Sequence, residues 1–81
     1  MFYVYLLKDD KGKIYIGYTQ RLKERLAEHK SGKVYTTSRM KNPKLFYYEA
    51  FSSLQSAQVR EKKLKQFGSS YTGLIKRLGI K

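Results

Sequence analysis

Apolar residues fill both alternating faces of Phe2-Tyr3-Val4-Tyr5-Leu6-Leu7, the pattern of a strand covered on either side within a sheet. Asp9-Asp10-Lys11-Gly12 follows with turn chemistry, and Gly12 can take positive φ without strain. The chain then returns as Ile14-Tyr15-Ile16-Gly17-Tyr18, completing a hairpin. Ile14, Ile16 and Tyr18 share one face of that strand, and Tyr15 and Gly17 the other. A glycine inside a strand marks a place where another group comes close to the backbone.

From Thr19 to Lys30 the polar and apolar positions take a helical period, with Thr19 as the expected N-cap and Gly32 as the stop. Leu22 and Leu26 form the expected buried stripe. Arg25 and His29, four apart, stack on one flank of it. Glu24 and Glu28 make a second column beside Arg21 and Lys23, and read as surface charge. Gly32 to Pro43 reads as a mobile basic loop. It carries Lys33, Arg39 and Lys41 among Tyr35, Thr36, Thr37 and Ser38, and its cations and hydroxyls suit phosphate oxygens as well as they suit a plain surface connection.

Lys44 to Phe51, rich in aromatics, is a third strand. Ser52-Ser53-Leu54-Gln55 has the spacing of a capping box, and a helix follows with periodic positions Leu54, Ala57, Glu61 and Leu64. Gly68 is expected to end it. Ser69 or Ser70 then caps a last helix whose apolar face is Leu74, Ile75 and Leu78. The fold class is α+β: one domain over 1–81, a small three-stranded antiparallel sheet flanked by helices in the order ββαβαα.

Composition sharpens this picture. In 81 residues the core is small, and with no cysteine neither disulfides nor thiolate metal sites reinforce it, in keeping with a reducing cytoplasm. No apolar run is long enough to span a bilayer, and the N-terminus lacks the layout of a signal peptide. Tyr71 to Lys81 is basic and partly apolar, but it is short and interrupted by Gly73 and Gly79, so a membrane partner is not expected. Eighteen Lys and Arg against six Asp and Glu leave a net charge of +12. Such an excess repels itself and points to a polyanion, nucleic acid above all. A merely solvated basic surface is the plainer alternative.

The chemistry is bounded by what is missing. A single histidine and no cysteine exclude the usual nucleophile sets and zinc spacings, and no glycine-rich phosphate loop occurs. Glu61 is a carboxylate on a stripe that should face the core, so it needs a cation, a donor or a metal, unless it reaches solvent or a neighbouring lysine. One Mg²⁺ held by a single glutamate and mostly by water is feasible. Phosphodiester hydrolysis would use such a set. Arg25 would give two hydrogen bonds to phosphate oxygens and the metal on Glu61 would stabilise the leaving oxygen. Tyr15 would align or deprotonate a water, and His29 would relay the proton. Taken singly, each residue has an ordinary packing or surface role.

Tyr15-Ile16-Gly17, preceded by Tyr3-Val4-Tyr5, resembles the paired signature of the GIY-YIG nuclease superfamily, and the chain is similar to its small stand-alone bacterial members. Arg25 stands eight residues after Gly17, where that family carries its catalytic arginine. His29 matches the histidine found four residues later in many members. Glu61, within Arg60-Glu61-Lys62-Lys63-Leu64-Lys65, matches the metal-binding glutamate. The first triplet lacks its usual glycine at Tyr3, Tyr18 stands where some relatives carry lysine or serine, and no asparagine follows Asn42. The resemblance implies a single-metal endonuclease with Mg²⁺ or Mn²⁺ on Glu61. Tyr15 would be its base or its water-positioning phenol, Tyr5 would support it from the neighbouring strand, and Arg25 would stabilise the transition state.

The expectation is a cytoplasmic endonuclease acting on DNA in preference to RNA, selecting structure over sequence, in repair, recombination or defence. Lys33, Thr37, Arg39, Lys41 and Lys65 are the expected nucleic-acid contacts. Its oligomeric state would be a monomer or weak dimer, and targeting would rest on the basic face itself, on oligomerisation or on a protein partner. Two other classes compete: a nucleic-acid-binding module that has lost turnover, and a basic component of an RNA–protein assembly.

Overall fold

The computed structural model describes residues 1–79; Ile80 and Lys81, included in the expected domain, lie outside the described residues. Three strands, β1 (Phe2–Lys8), β2 (Ile14–Thr19) and β3 (Lys44–Phe51), form one antiparallel sheet in the order β2-β1-β3. Helix α1 (Leu22–Lys30) follows the hairpin, a single 3₁₀ turn (Tyr35–Thr37) precedes β3, and α2 (Leu54–Lys65) and α3 (Ser69–Arg77) complete the chain. The ββαβαα order is the one the periodicities predict.

Because β1 is central, its two faces are both covered. Val4 and Leu6 join Ile16, Ala57, Leu64 and Leu74 in the hydrophobic core under α2 and α3. Tyr3, Tyr5 and Leu7 point the opposite way, in register with Thr19, Gly17 and Tyr15 of β2. Phe46 is the extra residue of a bulge in β3, since Tyr47 opposes Leu6 while Leu45 opposes Leu7.

The expected stripe of α1 is corrected by the structure. Leu22 and Leu26 are only half-buried, and the one buried residue of α1 is His29. The reason is the surface it covers: this face of the sheet presents phenols, so an imidazole whose two nitrogens are both matched can go deeper than a leucine.

Helix ends were also misplaced by sequence. Thr19 stays in β2 and its Oγ1 accepts from the Arg21 N–H (3.0 Å), so α1 begins only at Leu22 with no side-chain cap. The N-cap of α2 is Ser53, which accepts from Ser56 N–H (3.1 Å), one residue beyond the expected Ser52–Gln55 box. After α2 the positive φ falls on Phe67 (+55°), and Gly68 becomes the N-cap of α3 in place of a serine. A bulky residue in that conformation costs about 1–2 kcal/mol, and Phe67 offsets part of it by an edge contact with Tyr71 at 4.7 Å between ring centres. At Gly32 the expectation holds. Its φ is +79°, its N–H bonds the His29 carbonyl and the Lys33 N–H bonds that of Glu28, the two bonds of a Schellman end.

The segment after Gly32 is not a mobile loop. Thr37 is buried in its middle, and its far end is tied to the hairpin turn, where Asp10 N–H donates to the Lys41 carbonyl (2.9 Å). Asp9 closes the same corner. Its carboxylate accepts from the amides of Lys11 (2.9 Å), Lys13 (2.7 Å) and Lys41 (3.4 Å). Burial alone would raise its pKa, but those donors hold it below the usual carboxylate range.

Candidate active site

Gly17 is the floor of the site. A Cβ built there would lie 2.7 Å from Tyr5 Oη, 2.8 Å from Tyr5 Cζ and 2.9 Å from Tyr15 Cε2. Two tyrosine rings, 6.1 Å apart at their centres, therefore occupy the space a side chain would need. Tyr5 arrives from β1 directly opposite Gly17, and Tyr15 from two residues earlier on the same face of β2.

His29 reaches the same point from the last turn of α1. Its Nε2 is 2.7 Å from Tyr5 Oη and its Nδ1 is 2.6 Å from Thr37 Oγ1. The Thr37 hydroxyl donates to the Val34 carbonyl (3.4 Å), which leaves its lone pairs to accept from Nδ1–H. We therefore assign the proton of neutral His29 to Nδ1, so that Tyr5 O–H donates to Nε2. Burial, with a smaller contribution from the Arg25 charge, lowers the His29 pKa. Burial, reinforced by Tyr15, pushes the Tyr5 phenol above its ordinary range. Tyr5 thus stays protonated and serves as a donor. The His29 ring also packs edge-on against Tyr15, 5.0 Å between centres.

Beside this buried triad a cleft of about 690 Å³ opens at the end of the sheet where β1 begins and β2 ends. Tyr5, Tyr15, Gly17, Arg25 and Glu61 all line it. Arg25 comes from α1 with its side chain 43% exposed, and among the described residues its guanidinium is held by Glu28 alone, at 3.5 Å. Glu61 comes from α2, 36 positions further along the chain. Its side chain is 16% exposed and pairs with Lys65 at 3.3 Å, the neighbouring lysine that serves it here. Leu54, placed on the same stripe by its period, is exposed at the cleft rim.

Glu24 and Glu28, read from the sequence as surface charge, also line the cleft. Three of the six acidic residues of a +12 chain thus gather around one depression, against only Arg21 and Arg25 among its lining residues. Among the described residues they do not converge as a cluster of three or more metal ligands. Of these three carboxylates, Glu61 is the one whose charge acts on the Tyr5 phenol. A single such ligand in an open cleft, with the remaining positions left to water, fits Mg²⁺ or Mn²⁺.

Other expected contacts are redistributed. Thr37 is 1% exposed and committed to His29, so it cannot touch a phosphate. His29 does not line the cleft, and it reaches the site only through Tyr5 and the Tyr15 ring. Nothing in the local pattern marks Thr37 as its partner, because the pairing depends on how the segment folds back over α1. Lys33, Arg39 and Lys41 are exposed on that segment, and Lys65 is exposed while paired to Glu61.

The GIY-YIG catalytic domain family matches residues 1–73. A UPF0213 protein of Streptococcus agalactiae serotype V is 43% identical over 65 residues, covering 79% of this chain and 74% of that protein. Another UPF0213 protein, from Bacillus pumilus, is 39% identical over 64 residues, or 78% of this chain and 65% of its own length. In three dimensions the chain is similar to the solution NMR structure of a UPF0213 protein from Bacillus halodurans, with a TM-score of 0.58 and 32% identity over 96% of this chain and 85% of that one. Signature, fold and relatives agree, and the chain belongs to the GIY-YIG nuclease superfamily, alongside the bacterial UPF0213 proteins.

Proposed function

We propose that this protein is an endonuclease that hydrolyses phosphodiester bonds in DNA with one divalent metal ion, choosing its target by structure. The supporting observation is the meeting of Tyr15, Arg25 and Glu61 in one cleft above a glycine that leaves room for two phenols. The acidic balance of that cleft supports the metal requirement, since a phosphate entering it alone would meet three carboxylates.

Arg25 exchanges its weak surface pair with Glu28 for two parallel hydrogen bonds to phosphate oxygens, where negative charge grows as the water oxygen adds. Tyr15 borders the cleft and aligns that water through its phenol oxygen, and the proton released as the P–O bond forms passes to solvent in the open cleft. Tyr5 is unsuited to accept a proton because burial keeps it a neutral donor; it holds the Tyr15 side of the cleft in place, and His29 holds Tyr5. Glu61 would carry the metal, whose chemistry when bound is to neutralise a phosphoryl oxygen and the departing alkoxide.

The test is nicking of branched and duplex DNA with Mg²⁺ by wild type, Tyr15→Phe, Arg25→Ala and Glu61→Ala. Each variant should lose activity by about 10²-fold or more while retaining DNA affinity. Equal, metal-independent background in all four would leave a binding module without turnover. Strong retention on RNA with indifference to DNA would leave a component of an RNA–protein assembly.

A further inference from the structure

Between Glu28 and Glu49 the chain carries no acidic residue, yet it holds Lys30, Lys33, Arg39, Lys41 and Lys44. In the middle of that stretch Tyr35 is 81% exposed. Tyrosine in a small domain normally gains stability by burying its ring. Here the ring has no aromatic neighbour among the described residues and stands out in solvent.

The backbone beneath it is firmly set. The Tyr35 carbonyl accepts from both the N–H (3.2 Å) and the hydroxyl (2.7 Å) of Ser38, and Thr37 N–H donates to the Val34 carbonyl (3.2 Å). Two residues on, Thr37 turns inward to His29. One side of the 3₁₀ turn is thus anchored in the buried triad that supports the cleft, and the other side presents a free ring amid cations. An exposed aromatic face on a held backbone, flanked in sequence by lysine and arginine, is the arrangement that binds single-stranded nucleic acid, the cations following the backbone and the ring stacking on a base.

We propose that Tyr35 is a base-stacking residue which takes the face of an unpaired nucleotide in the DNA substrate. Bases within an intact duplex already stack on their neighbours and offer no free face, so this contact selects flaps, gaps and single strands. The inference rests on the nucleic-acid reading above and names the structural feature in the substrate that is recognised.

The experiment measures binding in EDTA, without turnover, to a 2-aminopurine-labelled single strand, a flap and a blunt duplex. Wild type, Tyr35→Phe, Tyr35→Leu and Tyr35→Ala are compared, with thermal melts to show that each remains folded. Tyr35→Ala and Tyr35→Leu should weaken single-strand and flap binding by about 5- to 150-fold and abolish quenching of the unpaired 2-aminopurine. Tyr35→Phe should match wild type, and duplex affinity should stay within about twofold in all four, because phosphate contacts dominate it. Unchanged flap affinity in Tyr35→Ala, or an equal loss on the duplex, would overturn the stacking role and leave the nuclease reading standing. A wild type that binds none of the three DNAs would remove both.

Discussion

Adding one methyl group at Gly17 tests how the site is packed. In Gly17→Ala the new carbon starts 2.7–2.9 Å from Tyr5 and Tyr15. Ordinary carbon contacts lie at about 3.5–4.0 Å, so the rings must retreat by roughly 0.8 Å. Tyr5 has little freedom to do so. It is 1% exposed and bound to His29 at 2.7 Å, so a retreat of that size disturbs the hydrogen bond as well. Overpacking and the weakened bond together cost about 2–3 kcal/mol, less a few tenths regained from the reduced freedom of the unfolded chain. For a domain of this size, that loss lowers Tm by roughly 8–20 °C.

Gly73→Ala is the internal control. Gly73 lies inside α3, and a Cβ there meets nothing within 4 Å, so helix propensity alone should stabilise by about 0.5–1 kcal/mol. Urea melts of the two variants measure both effects, and the m-value should not change. One substitution in two places then gives opposite signs. If Gly17→Ala melts within about 0.5 kcal/mol of wild type, the close approach of the two tyrosines is not a constraint and the account of the site floor is wrong.

Three further outcomes are expected. Thr37→Val keeps the shape but strands the buried Nδ1–H of His29, costing about 1–3 kcal/mol in urea melts, while Thr37→Ser should stay near wild type; equal effects would show that the hydroxyl is not needed. The folded pKa of His29 lies below its unfolded value, so the unfolded chain takes the proton first. Stability should fall as pH drops below about 6.5, and an NMR titration of the ring with a midpoint at or above that value would contradict the burial argument. Burial alone would raise the pKa of Glu49, but two bonds from Arg60 (2.8 and 2.9 Å) and one from Tyr47 depress it. Its contribution is therefore complete above the ordinary carboxylate pKa and lost as pH falls through the folded one. Glu49→Gln should cost about 1.5–3 kcal/mol at neutral pH and flatten the acid limb of the stability curve; an unchanged acid limb would refute the assignment.

What the sequence determined by itself is local in origin. Alternation and turn chemistry over residues 2–18 specify the hairpin, because strand period and glycine φ depend only on neighbouring residues. Gly17 announced a close approach, and the resemblance of Arg25, His29 and Glu61 to the family's pattern marked the candidate site. Helix ends were less legible. Thr19, Ser52 and Gly68 each compete with an adjacent group for the same amide or the same backbone conformation, and packing settles such contests by margins smaller than the local preferences can resolve.

Tertiary structure alone decided how deep and in whose company each polar group lies. A helical wheel puts His29 beside Leu26, but only the phenol-lined face of the sheet makes the imidazole the better residue to bury. Thr37 looked like a phosphate contact and is instead a buried hydrogen-bond partner, because the segment after Gly32 is tied down at three points. Glu24 and Glu28 became cleft residues once α1 was set beside Glu61 of α2. Periodicity fixes angles about one element's own axis, and the separation between elements depends on contacts between residues far apart in the chain.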